Sequence, residues 1–100
     1  MARVKFQKVT LTVAFYREGN KFIAYSPALN ISTCGDSQSA AQKRFEELLH
    51  VFLEEVDRMG TCEDVLLECG WKKIGRPEKR WQPPIFVGQT DREIRIPCPA

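Results

Sequence analysis

Between Val9 and Tyr16 the chain alternates. Val9, Leu11, Val13 and Phe15 are interleaved with Thr10, Thr12, Ala14 and Tyr16. A period of two in β-branched and aromatic residues predicts a strand with one buried face. Val4 and Phe6 fall on the opposite parity, so a bulge or an irregular lead-in is expected near Gln7. Glu18-Gly19-Asn20 predicts a hairpin turn, because Gly and Asn accept the positive φ that tight turns require. Lys21–Ser26 is the returning strand, and Pro27 ends it because proline has no N–H to give to a ladder. Asn30–Cys34 predicts a short third strand.

At Gly35-Asp36 the period changes from two to that of a helix. Asp36 or Ser37 can accept from the exposed N–H groups of a first turn. Ala41, Phe45, Leu48, Leu49, Phe52, Val56 and Met59 then form one broad apolar stripe. Lys43, Glu46, Glu47, Glu54, Glu55 and Asp57 mostly take the other side. The pattern predicts a helix over Ser37–Met59, stopped by Gly60. Thr61 is the expected N-cap of a second, shorter helix, with Asp64 where a capping box places Glu. Val65, Leu66 and Cys69 give that helix an apolar side, and Gly70 ends it. Beyond Trp71, the residues Gly75, Pro77, Pro83 and Pro84 exclude a long helix. Ile85-Phe86-Val87 and Glu93-Ile94-Arg95-Ile96 read as two short strands, joined through Gly88–Arg92 by a hairpin or by a longer connection.

The expected fold class is α+β. A small antiparallel sheet, the β-β-β-α core, is covered by one long helix and followed by a short C-terminal helix and one or two extra strands. One hundred residues make a single domain over 1–100, with a core over 4–60 and a C-terminal extension over 61–100. Hydrophobic content of 43% is enough for a packed core.

Charge changes the picture more than composition does. The net charge is +2, but residues 36–70 carry nine acids and three bases, while residues 71–100 carry seven bases and three acids. The helical segment is therefore acidic between two basic segments, which suits steering of a basic partner; a merely solvated helix surface has the same pattern. Cys34, Cys62, Cys69 and Cys98 include no C-x-x-C pair, and His50 is the lone histidine, so neither a metal nor another cofactor is expected. Arg3, Lys5 and Lys8 interrupt the N-terminal apolar residues, and no apolar run approaches the roughly 20 residues of a membrane span. A cytoplasmic location with reduced thiols is the expectation, with Cys34, Cys62 and Cys69 filling space as small buried hydrophobes.

No catalytic constellation stands out. Nucleophilic catalysis needs a base beside the nucleophile, and His50 between Leu49 and Val51 reads as a packing or surface residue. Cys34 lies near a helix start, which can lower a thiol pKa, but it equally fills space beneath the helix. Trp71, Lys72, Lys73, Arg76, Lys79, Arg80 and Trp81 interleave bases with aromatics, a composition that can hold phosphates and stack nucleobases. A solvated loop with its tryptophans turned to the core accounts for the same residues.

Ala24-Tyr25-Ser26-Pro27-Ala28-Leu29 is followed within ten residues by Gly35-Asp36-Ser37 and then by the long amphipathic helix. That order resembles the HicB family of bacterial antitoxins. The resemblance covers about residues 9–60. Arg58-Met59-Gly60 and Trp81-Gln82-Pro83-Pro84 extend it toward a short HicB-like subgroup without a DNA-binding tail. Asn30 stands where many members have Gly, and Ala40-Ala41 replaces the usual Glu-Ala at the helix start.

The resemblance implies a partial RNase H-like fold, but the three predicted strands before the long helix hold no Asp or Glu with which a two-metal nuclease could bind Mg²⁺. It implies instead a non-enzymatic antitoxin of a type II toxin–antitoxin system. Its partner would be a HicA-like toxin, a small mRNA-cleaving ribonuclease whose catalytic histidine the antitoxin covers. An RNA-binding partner is basic, so the acidic helix would steer it while an apolar and aromatic patch supplied affinity. The candidate toxin contacts are Tyr16, Tyr25, Leu29, Asn30, Glu46, Glu47 and Glu54. A homodimer or higher homo-oligomer is expected, both from the resemblance and because a three-stranded sheet leaves edges to cover. In the family, operator binding resides in an added helix-turn-helix or ribbon-helix-helix module, and this tail has no two-helix pattern.

Overall fold

The computed structural model describes residues 6–99, so Val4 lies outside the described residues. Its elements are β1 (Ala14–Glu18), β2 (Lys21–Ser26), β3 (Ile31–Gly35), α1 (Gln38–Arg58), α2 (Cys62–Glu68), β4 (Lys72–Ile74) and β5 (Arg80–Gln82). The architecture is α+β: an antiparallel sheet in the order β1-β2-β3 packs against α1, and β4 and β5 form a separate two-stranded sheet.

Two tight turns build the three-stranded sheet. Glu18 pairs with Lys21 across Gly19-Asn20, and Gly19 takes a φ of 61°. Glycine at the first turn position with positive φ matches the twist of the flanking strands. At the other end Ser26 pairs with Ile31, the Asn30 N–H donates to the Ser26 carbonyl at 2.8 Å, and Asn30 has a φ of 55°. Asn tolerates the left-handed region better than any residue but Gly, which explains why Asn serves at this position.

β1 begins at Ala14 rather than at Val9. Its ladder ends where Ala14 meets Tyr25, because Pro27 turns the partner strand away. The alternation itself persists: Leu11, Val13 and Phe15 are half-buried, whereas Val9, Thr10 and Thr12 are exposed. The register places Phe15, Ala24 and Thr33 on one face and Tyr16, Ile23 and Cys34 on the other. α1 covers the first face, where Ala24, Ala41 and Phe45 are buried against Val13, Phe15 and Phe22. Gly35 makes this contact close. A Cβ there would lie 2.6 Å from the Ala41 backbone nitrogen, so the helix start rests directly on the end of β3.

α1 is capped by Ser37, whose Oγ accepts from the Ala40 N–H at 3.1 Å. Asp36 is not the cap; its carboxylate pairs with Lys21. Both helices end in the same way. Gly60 and Gly70 follow the last turns with φ of 71° and 90°, and the next residues, Thr61 and Trp71, donate back to Val56 and Leu66. This is the six-to-one bond of a glycine-terminated helix. Met59, expected on the apolar stripe, is exposed because it is already the C-cap residue. Thr61 sits at the start of α2 but makes no side-chain capping bond; Glu63 and Asp64 supply negative charge to that first turn instead.

A second cluster joins the extension to the core. Ala28, Leu29, Leu66 and Trp71 are buried together, with Leu11, Phe52, Cys62 and Trp81 against them. The Trp71 Nε1–H donates to the Ala28 carbonyl at 2.8 Å. Cys62 and Cys69 are half-buried here, and burial, helped by nearby Asp57, pushes the Cys62 thiol pKa up. Cys34 is exposed instead of buried, because its parity in β3 turns it away from α1.

The extra strands lie elsewhere than expected. Ile85-Phe86-Val87 and Glu93–Ile96 are not strands, and the basic stretch forms the β4–β5 hairpin around Gly75, which has a φ of 102°. Gln7 closes one rung of this hairpin's outer edge. Its side-chain amide donates to the Trp81 carbonyl at 2.7 Å and accepts from the Trp81 N–H at 2.8 Å. After Pro83-Pro84 no strand partner is present among the described residues.

Candidate functional site

α1 projects its carboxylates from a rigid, well-capped rod. A helix turns 100° per residue, so Glu47 and Glu54 stand opposite the buried Phe45. Val51 lies between them, with Glu47 four residues before, Glu54 three after and Glu55 four after. Its side chain is 60% exposed, an apolar knob ringed by acids. Leu53 is also exposed and lies two turns beyond Glu46 on the same flank of the helix. The His50 Nε2 lies 3.0 Å from Glu54, and Arg58 lies against Glu55. Glu46 and Glu47 have no ion-pair partner among the described residues.

The structure divides the seven residues expected at a toxin interface. Glu47 and Glu54 share the outward side of α1, and Glu46 lies on its flank, about 100° round from Phe45. Tyr16 and Tyr25 lie on the sheet face turned away from α1, so the two groups cannot form one footprint. Tyr16 is 59% exposed. The Tyr25 hydroxyl donates to the Asn30 Oδ1 at 3.2 Å, which ties the turn residue to that second face. Leu29, another of the candidate contacts, lies in the core: at 4% exposure it packs with Trp71 and Leu66. Val51 and Leu53 are the surface residues that the sequence reading passed over. Their off-stripe spacing was the available signal.

The basic stretch is more committed than its composition suggested. Trp71 is buried, so its indole face is not presented to solvent. Trp81 is half-buried, with the Lys73 ammonium 5.1 Å from its ring centroid. Lys73 also pairs with Glu63 at 2.9 Å. Lys72, Arg76, Lys79 and Arg80 remain exposed on the hairpin.

Between the turn of β1–β2 and the start of α1, the Lys21 ammonium hydrogen-bonds Asp36. That bond and the charge behind it hold the Asp36 carboxyl below the usual carboxylate range and raise Lys21 above its ordinary value. Among the described residues no three His, Cys, Asp or Glu side chains gather in a way that could hold a metal ion. No helix among them is long and apolar enough to cross a membrane. Set against protein-family models, curated proteins and solved structures, the chain finds no match.

Proposed function

We propose that this chain is a HicB-like antitoxin: a non-enzymatic binding protein that captures a small, basic, mRNA-cleaving toxin of the HicA kind on the outward side of α1. The observation that carries this reading is the exposed Val51 within its ring of Glu47, Glu54 and Glu55. An apolar centre with a charged rim is the composition of a binding hot spot, and the sign of the rim selects a cationic partner. The motif order around Ala24–Leu29 and Gly35–Ser37 supports the same class.

The test is to read the neighbouring reading frames for a small basic protein and co-express it with this chain, followed by stopped-flow association over a range of salt. Wild type should rescue growth and bind fast at low salt. Glu47→Lys with Glu54→Lys should lower the association rate at least about tenfold and flatten its salt dependence. Val51→Asp should mainly raise the dissociation rate. Neither rescue nor a complex would end the antitoxin reading. A second reading, a nucleic-acid-binding module, draws on the exposed Lys72, Arg76, Lys79 and Arg80 of the β4–β5 hairpin. Under it, the wild type binds DNA or RNA with affinity falling steeply with salt, and Lys72→Glu with Arg76→Glu and Lys79→Glu abolishes that binding.

A further inference from the structure

Beyond Pro83-Pro84 the chain leaves the body as an arm. Residues 85–99 are exposed throughout, and Ile85, Phe86, Val87, Ile94 and Ile96 keep most of their surface in water. Glu93-Ile94-Arg95-Ile96 alternates polar and apolar, the pattern of a strand with one buried face, yet it has no partner strand among the described residues. The molecule measures 64 × 27 × 22 Å with a radius of gyration of 17.2 Å, against about 13 Å for a compact chain of this length. Its accessible surface is 9074 Å², against roughly 5,800 Å² expected for a folded monomer of this mass. The excess is several times the roughly 800 Å² that each partner buries in a stable interface.

The other half of a contact is present on the same chain. β1 is an edge strand, and Thr10–Val13 continue its alternation without a ladder partner. Thr10, Thr12, Ala14 and Tyr16 share the parity of the sheet face turned away from α1. Between Thr10, Thr12 and Tyr16 on one side and Pro84, Phe86 and Val87 at the base of the arm lies a slot of about 870 Å³. An edge with unpaired backbone groups accepts an added strand, and an amphipathic strand without a partner needs one. A two-fold axis lets each copy supply both halves at once.

We propose that Glu93–Ile96 of one copy seats as a strand in the Thr10–Tyr16 slot of a second copy, and that the exchange is reciprocal. The occupant is a second copy because the unpaired alternating segment and the unpaired edge belong to the same sequence, and because the surplus surface covers what a dimer needs. This exchange does not rest on the toxin reading, since it uses neither the outward side of α1 nor its acids.

The test uses the full chain in sedimentation velocity at high and low micromolar concentration. One variant carries Ile94→Asp with Ile96→Asp in the arm. The other carries Thr10→Lys with Thr12→Lys in the slot. All four positions are exposed, so circular dichroism and thermal melting of the monomer should match wild type. Wild type should run as a dimer, and each variant alone should weaken dimerisation by about a hundredfold or more. An equal mixture of the two should recover a heterodimer, because it restores one native arm–slot contact and sets Asp against Lys in the other. A wild-type monomer overturns the proposal, whether its arm folds back onto its own slot or becomes protected from hydrogen exchange only when toxin is added. A dimer that survives both variants, or a mixture that fails to recover, overturns it as well.

Discussion

Replacing Trp71 measures how the extension is held to the core. Trp71 is 5% exposed, packs with Leu29 and Leu66, and donates its Nε1–H to the Ala28 carbonyl at 2.8 Å. Trp71→Ala removes a buried ring, a change that costs about 3–5 kcal/mol. Trp71→Phe keeps most of the apolar contact but leaves the Ala28 carbonyl without its donor, at about 1–3 kcal/mol. Taking about 6 °C per kcal/mol for a domain of this size, the melting temperature should fall by roughly 20–30 °C for Ala and roughly 6–18 °C for Phe. Urea unfolding followed by far-ultraviolet circular dichroism gives the free energies directly. Hydrogen exchange adds a readout of place. In Trp71→Phe the amides around Ala28–Asn30 and in α2 should exchange faster, while Ala41–Phe45 under the sheet should keep their protection. A loss below about 1 kcal/mol in Trp71→Ala would falsify the role of this indole as the anchor between the Ala28–Leu29 turn and α2.

Gly35→Ala should cost at least about 1–3 kcal/mol in urea unfolding, because the new Cβ meets the Ala41 backbone at 2.6 Å and not a flexible side chain; a neutral result would mean that α1 does not rest on β3 as described. Ser37→Ala should cost about 1 kcal/mol, and Ser37→Asp should restore it, since the Ala40 N–H needs only an oxygen acceptor. The Lys21–Asp36 pair sets a pH dependence whose sign follows from both groups. The depressed Asp36 contributes above its unfolded-state value and loses that contribution as pH falls through the folded one, while the raised Lys21 loses its own as pH rises through its folded value. Wild type and Asp36→Asn should therefore differ modestly in urea midpoint at neutral pH and converge well below about pH 4.

The helix and the first hairpin were legible because their signals are local. Ser37 before a 3.6-residue stripe, Gly60 after it, and Gly19-Asn20 between two strands each specify backbone geometry within a few residues. Errors arose where a distant partner decides the outcome. β1 could not be bounded from its own alternation, since its length is set by where Pro27 turns β2 away. β4 and β5 span only three residues each, in a stretch dominated by Lys and Arg, so no period could emerge. Nothing local separates Trp71 from Trp81; the difference is that the Ala28 carbonyl faces one of them. Leu29 looked like a loop residue open to a partner because the sequence does not show Leu66 and Trp71 returning beneath it. Cys34 and Val51 were readable in principle. Parity along β3 and the angle around α1 place both on the outside once the elements are aligned.

The separation of the two surfaces has a consequence for how the protein would assemble. Glu47, Val51 and Glu54 project from the side of α1 opposite the sheet, whereas the slot lies against Tyr16 on the sheet face that α1 does not cover. Partners on opposite sides of a two-layer domain do not exclude each other sterically, and substitutions on the two sides share no contacts. Their effects should then add to within a few tenths of a kcal/mol. The arm variant Ile94→Asp with Ile96→Asp should thus lose self-association yet keep the toxin association rate per chain, and Glu47→Lys with Glu54→Lys should do the reverse. Competition gives a different pattern. If toxin and second copy used one face, abolishing self-association would tighten toxin binding, because the surface would no longer need to be cleared. Toxin titrations of the arm variant and of wild type, run above the wild-type dimer dissociation constant, decide between the two arrangements: equal affinity fits two faces, and a tighter-binding arm variant fits one.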